Sequence, residues 1–249
     1  MLRVPLDWND PTGATIAIHV EWIPARDPHA TQTVVAQDGG PGSPSTGSGK
    51  AYVGILGPLL RDRNLLLMDE RGTGGSTPID CSQLQHAVAR GVVGAVFQRA
   101  VAACGVQLDH TFRTPDARGY VRAADLFSTT QSIRDLSFAL RTLGIGQIDL
   151  FGESYGTFFA QAFAAAYPQT IRSLVLDSAY PLDLNVFDPP ARDEIRFAFD
   201  VVCRRSTACA AAAPGSSVAR IRRLAKSLAA NPITTSEGTY DEKSLATLL

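Results

Sequence analysis

The chain has 249 residues, of which 45% are apolar and 19% are charged, and its 23 basic and 24 acidic residues leave a formal net charge of −1. This length is sufficient for one large α/β domain, or two small ones, with a sizeable core. The near-neutral balance gives no long-range attraction to nucleic acid or to an anionic membrane, and no stretch reaches the roughly 18–20 uninterrupted apolar residues of a membrane span. We therefore expect a globular protein with no nucleic-acid partner and no membrane span.

The N-terminal segment, residues 1–8, contains no apolar run long enough for a signal peptide. It leads into Thr15–Trp22, where apolar residues alternate as in a half-buried strand. We expect either that the mature protein starts here or that an upstream segment is missing from this sequence.

Strands alternate with helices in the sequence that follows. Apolar runs predict strands at residues 33–37, 64–69, 148–151 and 174–178. Helical patterns predict helices near 89–103, over 132–143 and over 155–166. This alternation requires right-handed crossovers and predicts a mostly parallel sheet.

The pattern changes after Asp188-Pro-Pro190. Residues 191–203 and 216–230 have helical patterns, with no strand pattern between them. We therefore predict an α/β core over residues 1–185 and a helical insertion or second subdomain over residues 186–249.

The pentapeptide Gly152-Glu-Ser-Tyr-Gly156 matches the G-x-S-x-G pattern of a nucleophile on a tight strand-to-helix turn. Such a turn strains the backbone of the nucleophile, and side chains at the two glycine positions would collide with the strand and the helix. Here the motif lies between a predicted strand and a predicted helix. We predict that Ser154 is a catalytic nucleophile, the alternative being an ordinary strand-to-helix turn.

The segment Gly39–Gly42 follows a predicted strand and is a candidate for half of an oxyanion hole. A tetrahedral oxyanion needs two backbone N–H donors that are fixed in advance. We expect Tyr155, directly after the nucleophile, to supply one. Because Pro41 has no N–H, we expect Gly40 to supply the other, with Gly42 as the alternative. A plain Gly-Pro turn is the competing interpretation, and Gly40–Pro41 is a candidate cis peptide.

The segment Asp69–Ser76, with the sequence DERGTGGS, lacks the GxxxxGK[ST] pattern of a phosphate-binding loop. We expect a structural turn that supports the wall of the active site. Arg71 is a candidate to pair with a carboxylate in the same layer, but the sequence does not identify that partner.

The four cysteines form two local pairs, Cys81 with Cys104 and Cys203 with Cys209. Their spacing leaves two interpretations open: disulfides in an oxidising compartment, or buried thiols in a cytosolic enzyme. No CxxC motif occurs, and no histidine lies near the second pair, so we predict no metal site.

Four segments, in this order and spacing, resemble the α/β-hydrolases, specifically the branch of proline iminopeptidases and secreted actinobacterial tripeptidyl aminopeptidases. They are QDGGPG at residues 37–42, MDERGTGGS at 68–76, LFGESYGT at 150–157 and LVLDS at 174–178. The resemblance implies an α/β-hydrolase fold: a mostly parallel sheet with helices on both faces, truncated, plus the start of a helical cap. It also implies a serine aminopeptidase that forms an acyl-enzyme on Ser154, needs no cofactor and acts on peptides with a free N-terminus.

The same resemblance implies an exported enzyme, secreted or located in the cell envelope. It therefore favours the disulfides Cys81–Cys104 and Cys203–Cys209 over free thiols. The choice of a peptidase over an esterase or amidase rests on the resemblance alone, because both chemistries use the same site.

The chain departs from the family pattern in two ways. Glu70 and Gly75 stand where the family usually has a glutamine and an arginine. In addition, the triad order in α/β-hydrolases is serine, acid, histidine, whereas all four histidines of this chain precede Ser154: His19, His29, His86 and His110.

We expect none of these histidines to act as the base, and we interpret Asp177 as structural, because in this branch the acid and the histidine follow the helical cap. Lys226 and Lys243 show no motif for a serine–lysine pair. We predict an N-terminal fragment that is inactive by itself, because the acid and the base are absent. The alternative is a complete pseudoenzyme or binding module without catalysis. The sequence leaves peptide-length preference and oligomeric state open.

Overall fold

The structure is a computed structural model that describes residues 1–92, 94–183, 189–212, 216–236 and 238–248. Its residues form two compact units, Met1–Leu182 and Asp183–Leu249. The predicted boundary between residues 185 and 186 falls in the segment 184–188, which lies outside the described residues. The division into a core and a cap stays a prediction.

The first unit is built around a five-stranded sheet with the order β3-β5-β4-β6-β7, beside a separate hairpin of β1 and β2. Strand β3 runs antiparallel to β5, and the other neighbours in the sheet are parallel. This arrangement confirms the predicted mostly parallel sheet. The elements of the unit are β1 (Leu2–Pro5), β2 (Thr15–Ile18), β3 (Val20–Ile23), β4 (Gln32–Gln37), α1 (Gly49–Leu56), β5 (Arg63–Met68), α2 (Ser82–Ala89), α3 (Gly94–Leu108), α4 (Thr129–Thr142), β6 (Ile148–Glu153), α5 (Tyr155–Ala166) and β7 (Ile171–Asp177).

The core of this unit has two layers, one on each face of the sheet. Val35 and Leu66 pack in one layer with residues of α4 and α5. Val34 and Leu67 pack in the other layer with residues of α1, including Tyr52. Because successive side chains of a strand point to opposite faces, a strand covered on both faces must be apolar at every position. The predicted helices on both faces are confirmed.

The predicted strand Thr15–Trp22 is interrupted at His19, where the chain leaves the hairpin and joins the central sheet. The backbone N–H of His19 donates to Ser76 Oγ at 2.7 Å, and its carbonyl accepts from the N–H of Asp69 at 3.1 Å. At the junction, the backbone groups of His19 are thus hydrogen-bonded to a turn that is distant in sequence. The single predicted strand is therefore divided into two.

The helix predicted near residues 89–103 is present as α3, but its bounds are shifted to Gly94–Leu108 and a separate short helix precedes it. Helix α2 ends at Ala89, Gly91 turns the chain with a φ of +63°, and α3 begins at Gly94. A positive φ favours glycine, so Gly91 allows the turn that separates the two helices. The disulfide Cys81–Cys104 joins the residue before α2 to α3, as the resemblance implies.

The second unit is mostly helical in the part that the structure describes. Its elements are α6 (Pro189–Arg205), α7 (Thr207–Ala212), α8 (Ser217–Ala230), β8 (Ile233–Thr235), β9 (Gly238–Tyr240) and α9 (Glu242–Leu248). The disulfide Cys203–Cys209 joins α6 to α7, and the Arg220 guanidinium of α8 donates to the carbonyl of Cys209 at 3.1 Å. The helices predicted at 191–203 and 216–230 are confirmed as α6 and α8. Among the described residues, no helix is both long and apolar enough to cross a membrane.

Candidate active site

Ser154 lies on the turn between β6 and α5 with a left-handed φ of +52°. Such an angle is strained for a residue with a side chain. The turn leaves no room for side chains at the two glycines: a Cβ on Gly152 would lie 2.3 Å from the Gly156 carbonyl oxygen, and a Cβ on Gly156 would lie 2.2 Å from the Gln37 carbonyl oxygen. Both glycines are therefore required by close backbone approach.

Backbone hydrogen bonds connect Ser154 to the neighbouring strand and to its own helix. Its N–H donates to the carbonyl of Asp177 at the end of β7, at 2.9 Å. Its carbonyl accepts from the N–H of Thr157 at 2.9 Å and from the hydroxyl of Thr157 at 2.6 Å. Asp177 thus contacts the turn through its backbone, and its interpretation as structural stays a prediction.

The Ser154 hydroxyl faces the loop after β4 and the side chain of Tyr180. A Cβ on Gly39 would lie 3.4 Å from Ser154 Oγ. The Tyr180 hydroxyl lies 3.4 Å from the same oxygen. Tyr180 is held by its N–H, which donates to Thr157 Oγ1 at 2.9 Å, and by its carbonyl, which accepts from Gln161 Nε2 at 2.6 Å. No sequence signal points to Tyr180, because this contact depends on the turn after β7.

The loop after β4 has glycine-specific backbone geometry. Gly40 and Gly42 have φ values of +109° and +105°, and the Gly40–Pro41 peptide is cis, as was considered from the sequence. The Asp38 carboxylate accepts from the N–H of Gly39 at 2.6 Å. Within the described residues, neither the Gly40 N–H nor the Gly42 N–H donates to a protein acceptor.

Arg71 and Asp135 form a buried ion pair. The Nε and Nη2 atoms of Arg71 donate to the two carboxylate oxygens at 2.8 and 2.7 Å, and both side chains are 0% exposed. Arg71 Nη1 also donates to the carbonyl of Leu6 at 2.6 Å, and Trp8 Nε1 donates to Asp135 Oδ1 at 2.8 Å. These hydrogen bonds satisfy two charges that are costly to bury. Asp135 of α4 is the carboxylate partner that the sequence did not identify.

The side chain of His19 contacts the turn that contains Asp69. Its Nδ1 lies 3.2 Å from Asp69 Oδ2, and this buried carboxylate also accepts from the N–H of Thr46 at 3.0 Å. A Cβ on Gly75 would lie 2.7 Å from His19 Nδ1. The glycine that stands in place of the usual arginine therefore makes room for the histidine ring.

The other histidines lie on separate elements of the first unit. His29 follows β3, His86 lies in the last turn of α2, and His110 follows α3. Among the described residues, the hydrogen-bond partner of Ser154 Oγ is Tyr180 rather than a histidine. No group of three or more potential ligand side chains in this part of the chain is arranged to hold a metal ion.

Glu70 is a buried carboxyl group on the side of the site formed by Tyr155. The residue is 8% exposed; its Oε1 accepts from Gln37 Nε2 at 3.0 Å, and its Oε2 accepts from the Tyr155 hydroxyl at 3.4 Å. Burial raises the pKa of Glu70 to about 7; hydrogen bonds from Tyr155 and Ser132 oppose this effect, and the charge of Asp135 adds to it. Burial, with a smaller contribution from Glu70, raises the pKa of the Tyr155 hydroxyl to about 12. Near neutral pH, Glu70 is thus balanced between its two protonation states.

This chain is similar to a known protein family, the alpha/beta hydrolase fold. The profile of this fold family matches residues 32–202, from β4 into α6. The chain belongs to the alpha/beta hydrolase fold family. This alpha/beta hydrolase contains the predicted serine turn and glycine loop inside the matched region.

Two relatives of known name are similar to this alpha/beta hydrolase. The tripeptidyl aminopeptidase of Streptomyces lividans is 25% identical over 211 residues, which are 78% of this chain and 36% of the relative. The serine protease Hip1 of Mycobacterium tuberculosis is 28% identical over 186 residues, which are 72% of this chain and 35% of the relative. The chain therefore spans about a third of the length of these relatives.

Solved structures of other hydrolases align with this one at low identity. A proline iminopeptidase of Mycobacterium smegmatis has 17% identity and a TM-score of 0.40, and the alignment covers 70% of this chain and 42% of that one. An esterase of a marine microorganism has 13% identity and a TM-score of 0.43, with 93% and 71% covered.

Proposed function

We propose that this alpha/beta hydrolase is a serine aminopeptidase in which Ser154 Oγ attacks the scissile carbonyl carbon and forms an acyl-enzyme. The observation that carries the proposal is the strained turn of Ser154 at the carboxyl end of a parallel strand, with its hydroxyl facing a glycine loop. Peptide substrates are supported by the names of the relatives, a tripeptidyl aminopeptidase and a serine protease. We further propose secretion or location in the cell envelope, which the two disulfides support.

In this proposal the Tyr155 N–H and the Gly40 N–H, with Gly42 as the alternative donor, bind the oxyanion of the tetrahedral intermediate. The N–H groups of a first helical turn have no intrahelical acceptor, and the helix dipole favours negative charge there. Tyr155 begins α5, so its N–H meets this condition. Loss of one such donor typically raises the barrier by about 3 kcal/mol.

A serine hydroxyl is a weak nucleophile at neutral pH unless a base removes its proton. Because no histidine among the described residues contacts Ser154 Oγ, we propose that the base and its acid partner come from residues outside these 249 positions. We also propose that the helical second unit is part of a helical cap. No cofactor takes part in this mechanism.

The test compares a tripeptide anilide that has a free N-terminus with its N-acetylated form. It uses the full-length protein, meaning a chain that also contains the residues proposed to supply the base and its acid partner, and the Ser154→Ala variant of that protein. We expect rapid labelling by a fluorophosphonate probe and preferential cleavage of the free-amine substrate, both abolished by Ser154→Ala. Equal turnover of the two substrates would favour an esterase or amidase. Labelling of the Ser154→Ala variant at an unchanged rate would disprove the assignment of the nucleophile.

The polypeptide of 249 residues alone is expected to show no turnover at the rate of an enzyme. Without one triad member, an oxyanion hole and substrate binding still leave about 10³–10⁴-fold acceleration over water, which most assays do not detect. The measurement is anilide cleavage by this polypeptide beside its Ser154→Ala variant. Fast turnover that depends on Ser154 would show that the base lies within these residues.

A further inference from the structure

The disulfide Cys203–Cys209 lines a pocket of the second unit, whereas Cys81–Cys104 is buried in the first unit. The pocket has a volume of about 520 Å³ and both cysteines form part of its wall. Cys203 and Cys209 are partly exposed, while Cys81 and Cys104 are only 3% and 7% exposed. Exchange between a thiol and a disulfide requires access to a sulfur atom. A small thiol can therefore reach the second disulfide more easily than the first.

The guanidinium group of Arg220 lies beside both sulfur atoms of the disulfide Cys203–Cys209. Its Nη1 is 3.4 Å from Cys203 Sγ and 3.3 Å from Cys209 Sγ, and it donates to the carbonyl of Cys209 at 3.1 Å. A positive charge next to a sulfur atom stabilises a thiolate, and a stabilised thiolate is a better leaving group in exchange. Whichever sulfur is attacked, the other therefore leaves as a thiolate beside a guanidinium.

The sequence around this disulfide is strongly basic. Residues 201–236 contain no aspartate or glutamate. The basic residues of this segment are Arg204, Arg205, Arg220, Arg222, Arg223 and Lys226. The preceding carboxylate on α6, Asp200, accepts from the N–H of Ser217 at 2.6 Å. Because a field of one sign raises the local concentration of ions of the opposite sign, a negatively charged thiol is attracted to this disulfide and a positively charged one is repelled.

Helices α6 and α8 are also joined by contacts that do not involve the disulfide. The N–H of Ser217 donates to Asp200 Oδ1 at 2.6 Å, and the Ser217 hydroxyl donates to the carbonyl of Phe199 at 3.3 Å. The disulfide itself joins residues only 6 positions apart, and a short loop restricts the unfolded chain less than a long one. We therefore expect the disulfide to open without unfolding of the two helices.

We propose that Cys203–Cys209 is a site of reversible thiol–disulfide exchange with negatively charged low-molecular-weight thiols, and that Arg220 stabilises the thiolate that leaves. The thiolate of the small thiol attacks one cysteine sulfur, the S–S bond breaks, and the other sulfur leaves with the electron pair. A second small thiolate attacks the mixed disulfide and releases the remaining cysteine thiolate. The protein disulfide is thus reduced, and two small thiols are oxidised to one disulfide. The inference is independent of the proposed peptidase function.

The test measures the opening of both disulfides in the oxidised full-length protein. Glutathione, which is anionic, is compared with cysteamine, which is cationic, at equal thiolate concentration. Samples are quenched by alkylation, and peptide mass spectrometry gives the reduced fraction of each cysteine pair. We expect glutathione to open Cys203–Cys209 about tenfold faster than Cys81–Cys104 and cysteamine to open Cys203–Cys209 more slowly than glutathione does. Equal rates for the two disulfides, or no preference for glutathione, would overturn the inference.

A charge-removing variant tests the role of Arg220. Arg220→Gln is expected to slow the opening of Cys203–Cys209 by glutathione about tenfold, whereas Arg220→Lys, which keeps a cation, should retain most of the rate. The matched control is Arg222→Gln, which removes the same charge from an exposed side chain of α8 and should change the rate less than about twofold.

The sign of the Arg220→Gln effect separates this role from a structural one. If Arg220 only held the helices together, its loss would expose the disulfide and make opening faster. Unchanged or faster opening in Arg220→Gln would therefore contradict the proposed role.

Reversibility is measured in the same sample. After the free thiol is removed, addition of glutathione disulfide is expected to re-form Cys203–Cys209, because the two helices keep the cysteines close together. A disulfide that opens and does not re-form would show that its opening disrupts the second unit, and would contradict a reversible exchange site.

Discussion

The Tyr180 hydroxyl is positioned to orient the hydroxyl of Ser154. Its distance to Ser154 Oγ is 3.4 Å, and the Tyr180 backbone is fixed on both sides by hydrogen bonds to α5. We expect Tyr180→Phe to slow fluorophosphonate labelling of the full-length protein about two- to tenfold, the range for loss of one neutral hydrogen bond. Tyr167→Phe, directly after α5, is the control and should label at the normal rate. Identical rates for both variants would show that the Tyr180 hydroxyl plays no part.

The protonation of Glu70 makes the folded state more stable at low pH than at high pH. A salt-bridged acid, whose pKa is lowered, has the opposite effect. The pKa of Glu70 rises from 4.5 to about 7 in the folded protein, so the folded state holds the proton more tightly than the unfolded state does. The contribution is therefore complete below about pH 4.5 and is lost as the pH rises through 7. This loss amounts to about 3 kcal/mol of unfolding free energy.

We expect Glu70→Gln to remove this loss. Urea unfolding at several pH values between 4.5 and 8 measures the unfolding free energy of each protein. Titrating groups distant from Glu70 contribute equally to both proteins, so the difference between the two curves reports on Glu70 and its neighbours Asp135 and Tyr155. The variant should gain stability relative to the wild type as the pH rises, whereas parallel curves would contradict the raised pKa.

At the scale of elements, the hairpin of α2 and α3 contains little hydrophobic core of its own. Its buried residues are Ala87 in α2 and Cys104 in α3, whereas Val88, Val96 and other apolar side chains are exposed. Packing therefore supplies little of the free energy that orders this segment. The covalent link from Cys81 to Cys104 compensates, because it limits the conformations of the unfolded chain.

Replacing both Cys81 and Cys104 by alanine is expected to lower the unfolding free energy by about 3 kcal/mol, given their sequence separation of 23 residues. The matched control replaces Cys203 and Cys209, which are separated by 6 residues, and should cost about 2 kcal/mol. Thermal or urea unfolding of the oxidised proteins provides the measurement. An unchanged stability after the first replacement would mean that the hairpin is ordered without its disulfide.

At the scale of the whole molecule, the central sheet ends in an exposed apolar strand. Strand β7 pairs with β6 along one side and is the last strand in the sheet order. Its residues Leu174 and Val175 are 36% and 51% exposed. Edge strands of this kind pair with other chains unless a charge, a proline or a covering element prevents it. Within the described residues, the sheet therefore has an exposed edge at β7 that carries apolar side chains.

We expect the 249-residue polypeptide, expressed alone, to aggregate or to be partly molten because of this edge. Val175→Lys should increase the monomeric fraction in size-exclusion chromatography, since a lysine at an edge opposes strand pairing. Val53→Lys on α1, which also replaces an exposed valine (41%), is the control and should have little effect. A sharp cooperative melt and monomeric elution of the unsubstituted polypeptide would disprove the expectation.

The sequence by itself determined the features whose signals are local. The apolar runs of β4, β5 and β6 indicated strands covered on both faces, and Gly152–Gly156 indicated the tight turn of Ser154 because the motif stands between a strand pattern and a helix pattern. The helix limits at Tyr155 and Ala166 also followed from local pattern and proline position. The roles of Ser154, Tyr155 and Gly40 stay predictions, although the geometry suits them.

The tertiary structure alone decided which distant residues meet. Arg71 reaches Asp135 across 64 positions, and Glu70 reaches Tyr155 across 85. Neither pair has a spacing that a helix or a strand would impose, so no periodic pattern in the sequence predicts the contact. The break at His19 has the same origin, because the partners of its backbone N–H and carbonyl belong to a turn fifty or more positions later. Local propensity selects elements, whereas the choice of partners depends on how the sheet order brings loops together in space.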